Sequence, residues 1–180
     1  MATELIDLSQ PTVIALNMYD ELEASGATLN HEKLGGMIGI PMVPTVARTS
    51  DGIDTLLDTI IDLFEGRNRV TRQVNINYGT TIEPELAIVT RLMQQSDELP
   101  RQFPPRYWAL KLLEGDTEAQ RTLRGCAAYP EWKAAAERGA EKIQQLLAEQ
   151  TEAAVIDRKY GYIAGALRKV YTPGTVDLNR

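Results

Sequence analysis

The 180-residue sequence carries 19 lysines and arginines against 25 aspartates and glutamates, a formal charge of −6, and 43% of its residues are hydrophobic. The acid excess argues against a nucleic-acid-binding protein, and one cysteine and one histidine exclude a disulfide framework and a thiolate or multi-histidine metal site. No apolar run approaches the roughly 18 residues of a membrane span and the amino terminus is unlike a signal peptide, so we expect a soluble chain in a reducing compartment.

Short strands alternate with helices up to about Gly66. Residues 12–16 form a near-continuous apolar run, which is typical of a parallel strand buried on both faces. A helix capped by Asn30 and a second short strand at 42–46 follow. Apolar residues then recur over 53–64 with the spacing of an amphipathic helix. This order predicts a βαβα unit with two parallel strands.

Nearly everything after Tyr78 has a helical pattern. Alternation over 74–78 predicts a short edge strand or an extended linker. Five helices are then predicted, at 82–96, 105–114, 117–127, 130–150 and 152–169. Short links between them favour a compact helical bundle, in which we expect Trp108 and Trp132 to pack in the core and Cys126 to be buried.

A polar tetrapeptide, Asn17-Met18-Tyr19-Asp20, follows the first predicted strand. Ligands of open α/β sheets bind at the carboxyl ends of the strands. An aspartate there can accept two hydrogen bonds from the ring N–H and the exocyclic amine of guanine, and it would reject adenine. The asparagine amide can tie neighbouring loops together. On the tetrapeptide alone, a solvated turn at the strand end is the favoured interpretation.

A second loop, Val46-Ala47-Arg48-Thr49, follows the second predicted strand. Such a loop can offer a backbone N–H to the guanine carbonyl oxygen. Two base-reading loops on consecutive strand ends form the specificity half of a GTPase-type nucleotide site. The pair is more specific than either loop alone.

These motifs resemble the cytosolic part of the ferrous iron transport protein B family, which has Asn-Met-x-Asp where most small GTPases have Asn-Lys-x-Asp. The resemblance covers nearly the whole chain and is carried by residues 17–26, 39–49, 75–79 and 160–167. The last of these segments resembles the family's link into its membrane domain.

The resemblance implies a fold and a function. It implies a truncated, P-loop GTPase-like α/β half at 1–66, an all-α helical spacer at 67–170 and a linker toward a membrane domain at 171–180. The parent family moves Fe²⁺ across the bacterial inner membrane under GTP control, and its spacer is proposed to slow GDP release. The guanine-binding residues it implies are Asn17, Met18, Asp20, Val46, Ala47 and Arg48. Arg48 stands in place of the lysine, and Val46 in place of the serine, of the common Ser-Ala-Lys loop.

Two signatures of the parent family are missing from the 180 residues. Neither Gly-x-x-x-x-Gly-Lys-Ser/Thr nor Asp-x-x-Gly occurs, so the phosphate loop and the magnesium-sensing switch are absent. We therefore expect no catalytic residue and no metal site. The parent protein is expected to bind GTP or GDP together with Mg²⁺. This chain is expected to bind the nucleotide weakly or not at all. The exposed edge of strand 12–16 predicts a homodimer or a rearranged amino-terminal half.

Two other functions stay open at this level. One is a stand-alone helical interaction module with a non-functional α/β remnant. The other is a small nucleotide-binding enzyme that borrows its phosphate loop from a partner. The basic residues Arg158, Lys159, Arg168 and Lys169 fit either a segment beside anionic lipid or an ordinary exposed helix.

Overall fold

A computed structural model of the chain describes residues 2–174. Its helices are α1 Ala2–Leu8, α2 Tyr19–Ala24, α3 His31–Ile38, α4 Ile53–Phe64, α5 Gly79–Gln94, α6 Pro105–Glu114, α7 Thr117–Leu123, α8 Tyr129–Leu147 and α9 Thr151–Leu167. Its strands are β1 Ile14–Leu16, β2 Thr28–Leu29, β3 Met42–Pro44 and β4 Tyr171–Thr172. The predicted class, an α/β half followed by a helical bundle, is confirmed.

The α/β half is built on the two predicted strands. β1 and β3 are parallel, with Ile14 opposite Met42 and Leu16 opposite Pro44. The helix between them, α3, is capped as predicted, because the Asn30 side chain accepts a hydrogen bond of 2.9 Å from the Lys33 amide. Within residues 2–174, the other edge of β1 is paired with no strand.

The amphipathic helix α4 forms where the spacing predicts it, but its apolar face is not covered. None of its residues is buried. The exposed face, here called the α4 stripe, consists of Leu57, Ile60, Ile61 and Phe64. Phe64 is 90% exposed, so burial against the rest of residues 2–174 cannot account for this pattern of apolar residues.

The helical bundle holds the centre of the core. Trp108 and Trp132 are 4% and 1% exposed, which confirms the predicted packing, and Cys126 is partly buried against the same core. Residues 74–78 form no strand; they are an extended link whose Ile76 and Tyr78 are almost fully buried. One continuous core joins this link to buried residues of α3.

The end of the described chain returns to the α/β half. β4 pairs antiparallel with β2, with Leu29 opposite Tyr171. Neither strand is apparent in the sequence pattern, since two-residue strands carry almost no periodicity. Of the expected linker 171–180, residues 175–180 lie outside the described part of the chain.

One expected surface residue is internal. Lys159 is 8% exposed, and its Nζ lies 3.0 Å from a carboxylate oxygen of Asp7. It therefore does not belong to a basic surface cluster, whereas Arg158, Arg168 and Lys169 are exposed. Over residues 2–174, no helix combines the length and apolar composition required to cross a membrane.

Candidate guanine-recognition site

The two predicted loops lie side by side at the carboxyl ends of β1 and β3. Asn17 directly follows β1, and its Oδ1 accepts a hydrogen bond of 3.0 Å from the Ala47 amide. A second bond of 3.3 Å runs from the Tyr19 amide to the Thr45 carbonyl oxygen. The expectation that the asparagine amide ties neighbouring loops together is confirmed.

Met18 gives the first loop its sharp turn. It adopts the left-handed conformation, with φ 61° and ψ 34°, immediately before α2. For a residue with a side chain this conformation costs on the order of 1 kcal/mol, and such strain is concentrated at functional sites. Met18 is 54% exposed. Asp20 follows in the first turn of α2.

The second loop is a tight turn closed by its own backbone. The Val46 amide donates to the Asp51 carbonyl oxygen at 3.0 Å, and the Thr49 hydroxyl lies 2.6 Å from the Asp51 carboxylate. The turn ends at Gly52, whose φ is +77° and where a Cβ atom would lie 2.1 Å from the Pro44 carbonyl oxygen. Backbone bonds and Thr49 thus support the loop that lacks the usual serine.

Arg48 and Asp20 form an ion pair across the two loops. Arg48 Nη2 donates to Asp20 Oδ2 at 3.0 Å, with side-chain exposures of 79% and 40%. The structure therefore links Asn17 to Ala47 and Asp20 to Arg48, while Met18 and Val46 lie next to these pairs in the sequence. The resulting surface is open to solvent and polar.

No group of three or more histidine, cysteine, aspartate or glutamate side chains within residues 2–174 could hold a metal ion. At the strand ends the arrangement offers the Asp20 carboxylate, whereas the amides of Val46, Ala47 and Thr49 already donate hydrogen bonds within the chain.

A buried polar cluster joins the α/β half to the helical bundle. The Tyr78 hydroxyl contacts the Asp7 carboxylate at 2.7 and 2.8 Å, and Lys159 lies between Asp7 and Glu114, 3.0 and 4.0 Å from their oxygens. Burial and the Asp7 carboxylate raise the pKa of Tyr78 well above its ordinary value.

This cluster was not predicted from the sequence, although a signal was present. Lys159 lies four residues after Val155 and seven before Ala166, both of which are buried. Helical spacing therefore places this lysine on the internal face of α9. Nothing comparable in the sequence marks Asp7 as its partner.

Two family models match the chain. The model described as ferrous iron transport protein B matches residues 1–60, and the model of the FeoB cytosolic helical domain matches residues 78–172. Residues 61–77, at the boundary between the α/β half and the helical bundle, separate the two matches.

Curated relatives are much longer than this chain. A Porphyromonas gingivalis Fe(2+) transport protein A/Fe(2+) transporter FeoB fusion protein is 41% identical over 173 residues, which is 95% of this chain and 20% of that protein. Fe(2+) transporter FeoB of Staphylococcus aureus is 30% identical over 113 residues, 63% of this chain and 16% of that protein. The chain thus spans a fifth or less of the length of these relatives.

Solved structures share the fold. An S. thermophilus NFeoB mutant bound to GDP has a TM-score of 0.79 at 24% identity, covering 94% of this chain and 62% of that one. The cytosolic domain of the T. maritima FeoB iron transporter in a GDP form has a TM-score of 0.69 at 20% identity, covering 95% and 61%. At this level of identity the likeness establishes the architecture alone.

Proposed function

The chain belongs to the ferrous iron transport protein B family, and on that basis we propose that it carries the guanine-reading loops and the helical coupling region of a bacterial GTP-dependent Fe²⁺ transporter. In this proposal the chain acts on the cytoplasmic face of the inner membrane, beside the membrane domain of the complete transporter. Its own role is regulatory.

The bond between Asn17 and Ala47 is the observation that carries the proposal. It holds the two strand-end loops together, which leaves Asp20 beside the turn at 45–52. We propose that the Asp20 carboxylate accepts from the ring N–H and the exocyclic amine of guanine. Because the Ala47 amide already donates to Asn17, the amide of Arg48 is proposed to donate to the guanine carbonyl oxygen. Met18 is proposed to cover the ring.

The residues of this chain fit the base of GTP or GDP better than they fit its phosphates. A phosphate loop holds phosphates through successive backbone amides and a lysine, and Mg²⁺ through a hydroxyl and a carboxylate. Neither signature occurs in the sequence. We therefore propose that this chain contacts guanine weakly and that phosphate and Mg²⁺ binding, and hydrolysis, require residues outside these 180.

We further propose that the helical region controls release of the nucleotide. Two physical connections support this role: the pairing of β2 with β4, and the buried cluster in which Asp7 of α1 meets Tyr78 and Lys159. We propose that a change at the two loops reaches α9 through these contacts.

Assembly with a second copy is proposed from two uncovered features. Within residues 2–174 one edge of β1 pairs with no strand, and the α4 stripe exposes four large apolar side chains. A homodimer would cover both.

Base selectivity tests the main proposal. The ¹⁵N-labelled chain is titrated with GMP and AMP, and binding is followed at the amides of Ala47 and Arg48. GMP is expected to shift these resonances at lower concentration than AMP. Asp20→Asn exchanges one hydrogen-bond acceptor for a donor. This variant is expected to bind GMP more weakly and to bind xanthosine monophosphate more tightly, because the xanthine ring carries an oxygen in place of the amine.

The control is Asp157→Asn, an exposed aspartate of α9, which should leave both affinities unchanged. Equal binding of GMP and AMP, or no response to either, would refute the proposal. That outcome would favour the helical interaction module.

A further inference from the structure

The carboxylate proposed to read guanine already has a partner within the chain. Arg48 Nη2 donates to Asp20 Oδ2 at 3.0 Å. A carboxylate that reads guanine uses both oxygens, one for the ring N–H and one for the exocyclic amine. Arg48 and the exocyclic amine of guanine would therefore both use Oδ2 as their acceptor.

We propose that Arg48 is an internal competitor for guanine that lowers the discrimination of the site between guanine and hypoxanthine. This inference rests on the proposed guanine-binding function and adds a specificity-determining residue to it. Hypoxanthine has the ring N–H but lacks the exocyclic amine. It needs one carboxylate oxygen, so it binds Asp20 while the ion pair with Arg48 persists, whereas guanine must displace Arg48 from Oδ2.

The loop geometry keeps Arg48 in place to compete. The turn is fixed on one side by the bond between the Val46 amide and Asp51, and on the other by the bond between the Ala47 amide and Asn17. Arg48 follows directly at the tip of this rigid turn. The backbone from which the Arg48 side chain reaches Asp20 is therefore fixed.

The strength of the ion pair sets the size of the effect. Arg48 is 79% exposed and Asp20 is 40% exposed, and pairs between exposed charges are weak. Removing Arg48 should therefore tighten guanine binding by about two- to fivefold. Hypoxanthine binding should change by less than about 1.5-fold, because a single hydrogen bond to the other oxygen is not contested.

The test compares GMP with IMP, which carry the same phosphate and differ only in the exocyclic amine. Wild type, Arg48→Ala and Arg121→Ala are titrated by ¹H–¹⁵N NMR with the full chain. Arg121 is the matched control, since it is an exposed arginine that forms an ion pair with Glu118 in α7. The Arg121→Ala substitution removes the same charge from a helix outside the two loops.

Arg48→Ala should raise the affinity ratio of GMP to IMP, and Arg121→Ala should leave it unchanged. In the wild type, the chemical shift of the Arg48 side-chain Nε–H should change when GMP is added and should not change when IMP is added. If Arg48→Ala weakens GMP, or changes GMP and IMP equally, competition is refuted while a preference for GMP over AMP still supports the proposed function. If no variant prefers GMP to AMP, both proposals fail.

Discussion

The hydroxyl of Tyr78 lies 2.7 Å from one carboxylate oxygen of Asp7 and 2.8 Å from the other, although 71 residues separate the two in sequence. Tyr78 is 1% exposed and stands at the start of the helical region, whereas Asp7 belongs to α1 of the α/β half. A charge-assisted hydrogen bond thus crosses the junction between the two halves in a place where water cannot replace it.

Loss of this bond should destabilise the whole chain. Tyr78→Phe removes the donor and leaves part of the buried Asp7 carboxylate unsatisfied, at a cost of about 2 kcal/mol in the free energy of unfolding. Chemical denaturation measures this cost. Tyr129→Phe is the matched control, because the Tyr129 hydroxyl is buried without a hydrogen-bond partner among the described residues. It should be neutral or slightly stabilising, and equal losses for both variants would contradict the role given to Asp7.

The turn of the second loop should depend on one glycine. Gly52 and Gly66 both have positive φ, +77° and +71°, so alanine costs about 1 kcal/mol of backbone strain at either position. At Gly52 the new Cβ would also lie 2.1 Å from the Pro44 carbonyl oxygen, whereas Gly66 has open space. Gly52→Ala should therefore lose at least about 3 kcal/mol of stability and shift the Ala47 amide resonance. Similar melting temperatures for the two variants would contradict the rigid turn.

Glu83 should make stability depend on pH in the acid range. Burial raises the pKa of Glu83, but hydrogen bonds from Arg106 and from the Tyr78 amide outweigh burial and lower the pKa below its ordinary value of 4.5. A carboxyl whose pKa is lower in the folded state stabilises the fold above its ordinary pKa, and this contribution disappears as the pH falls through the folded value.

Comparison with Glu83→Gln measures this contribution. The variant should be less stable than the wild type by about 1–2 kcal/mol at pH 7, and the gap should narrow as the pH falls below 4.5. Glu118→Gln, at an exposed ion pair, should show a small difference at every pH. A gap between wild type and Glu83→Gln that is constant from pH 7 to pH 3 would exclude the proposed linkage.

The α4 stripe should promote self-association. Phe64→Asp places a charge at its most exposed position, 90% accessible, and should shift the chain toward monomer in light scattering after size exclusion. Leu146→Asp, at an exposed leucine of α8, is the control and should leave the mass distribution unchanged. A wild-type chain that stays monomeric at high concentration would refute the homodimer.

Local patterns predicted the helices better than the strands. The apolar spacing of α3, α4 and the five later helices is contained within each segment, and so is the Asn30 cap. The three-residue strands β1 and β3 were predicted, as 12–16 and 42–46, whereas β2 and β4 are two residues long, which is too short for alternation to be recognised. Helix α7 ends at Leu123 rather than at the predicted 127.

The sequence by itself determined the class of fold, the family resemblance and the two polar loops at the strand ends, because these depend on residue types at short, fixed spacings. Only the tertiary structure decided which side chains meet. In the structure, Arg48 forms an ion pair with Asp20, and β4 pairs with β2. Lys159, which was expected in a surface cluster, contacts Asp7. The α4 stripe is left uncovered. These outcomes depend on contacts between residues far apart in the chain, and the energy of such a contact is set by burial and distance, which a linear pattern does not contain.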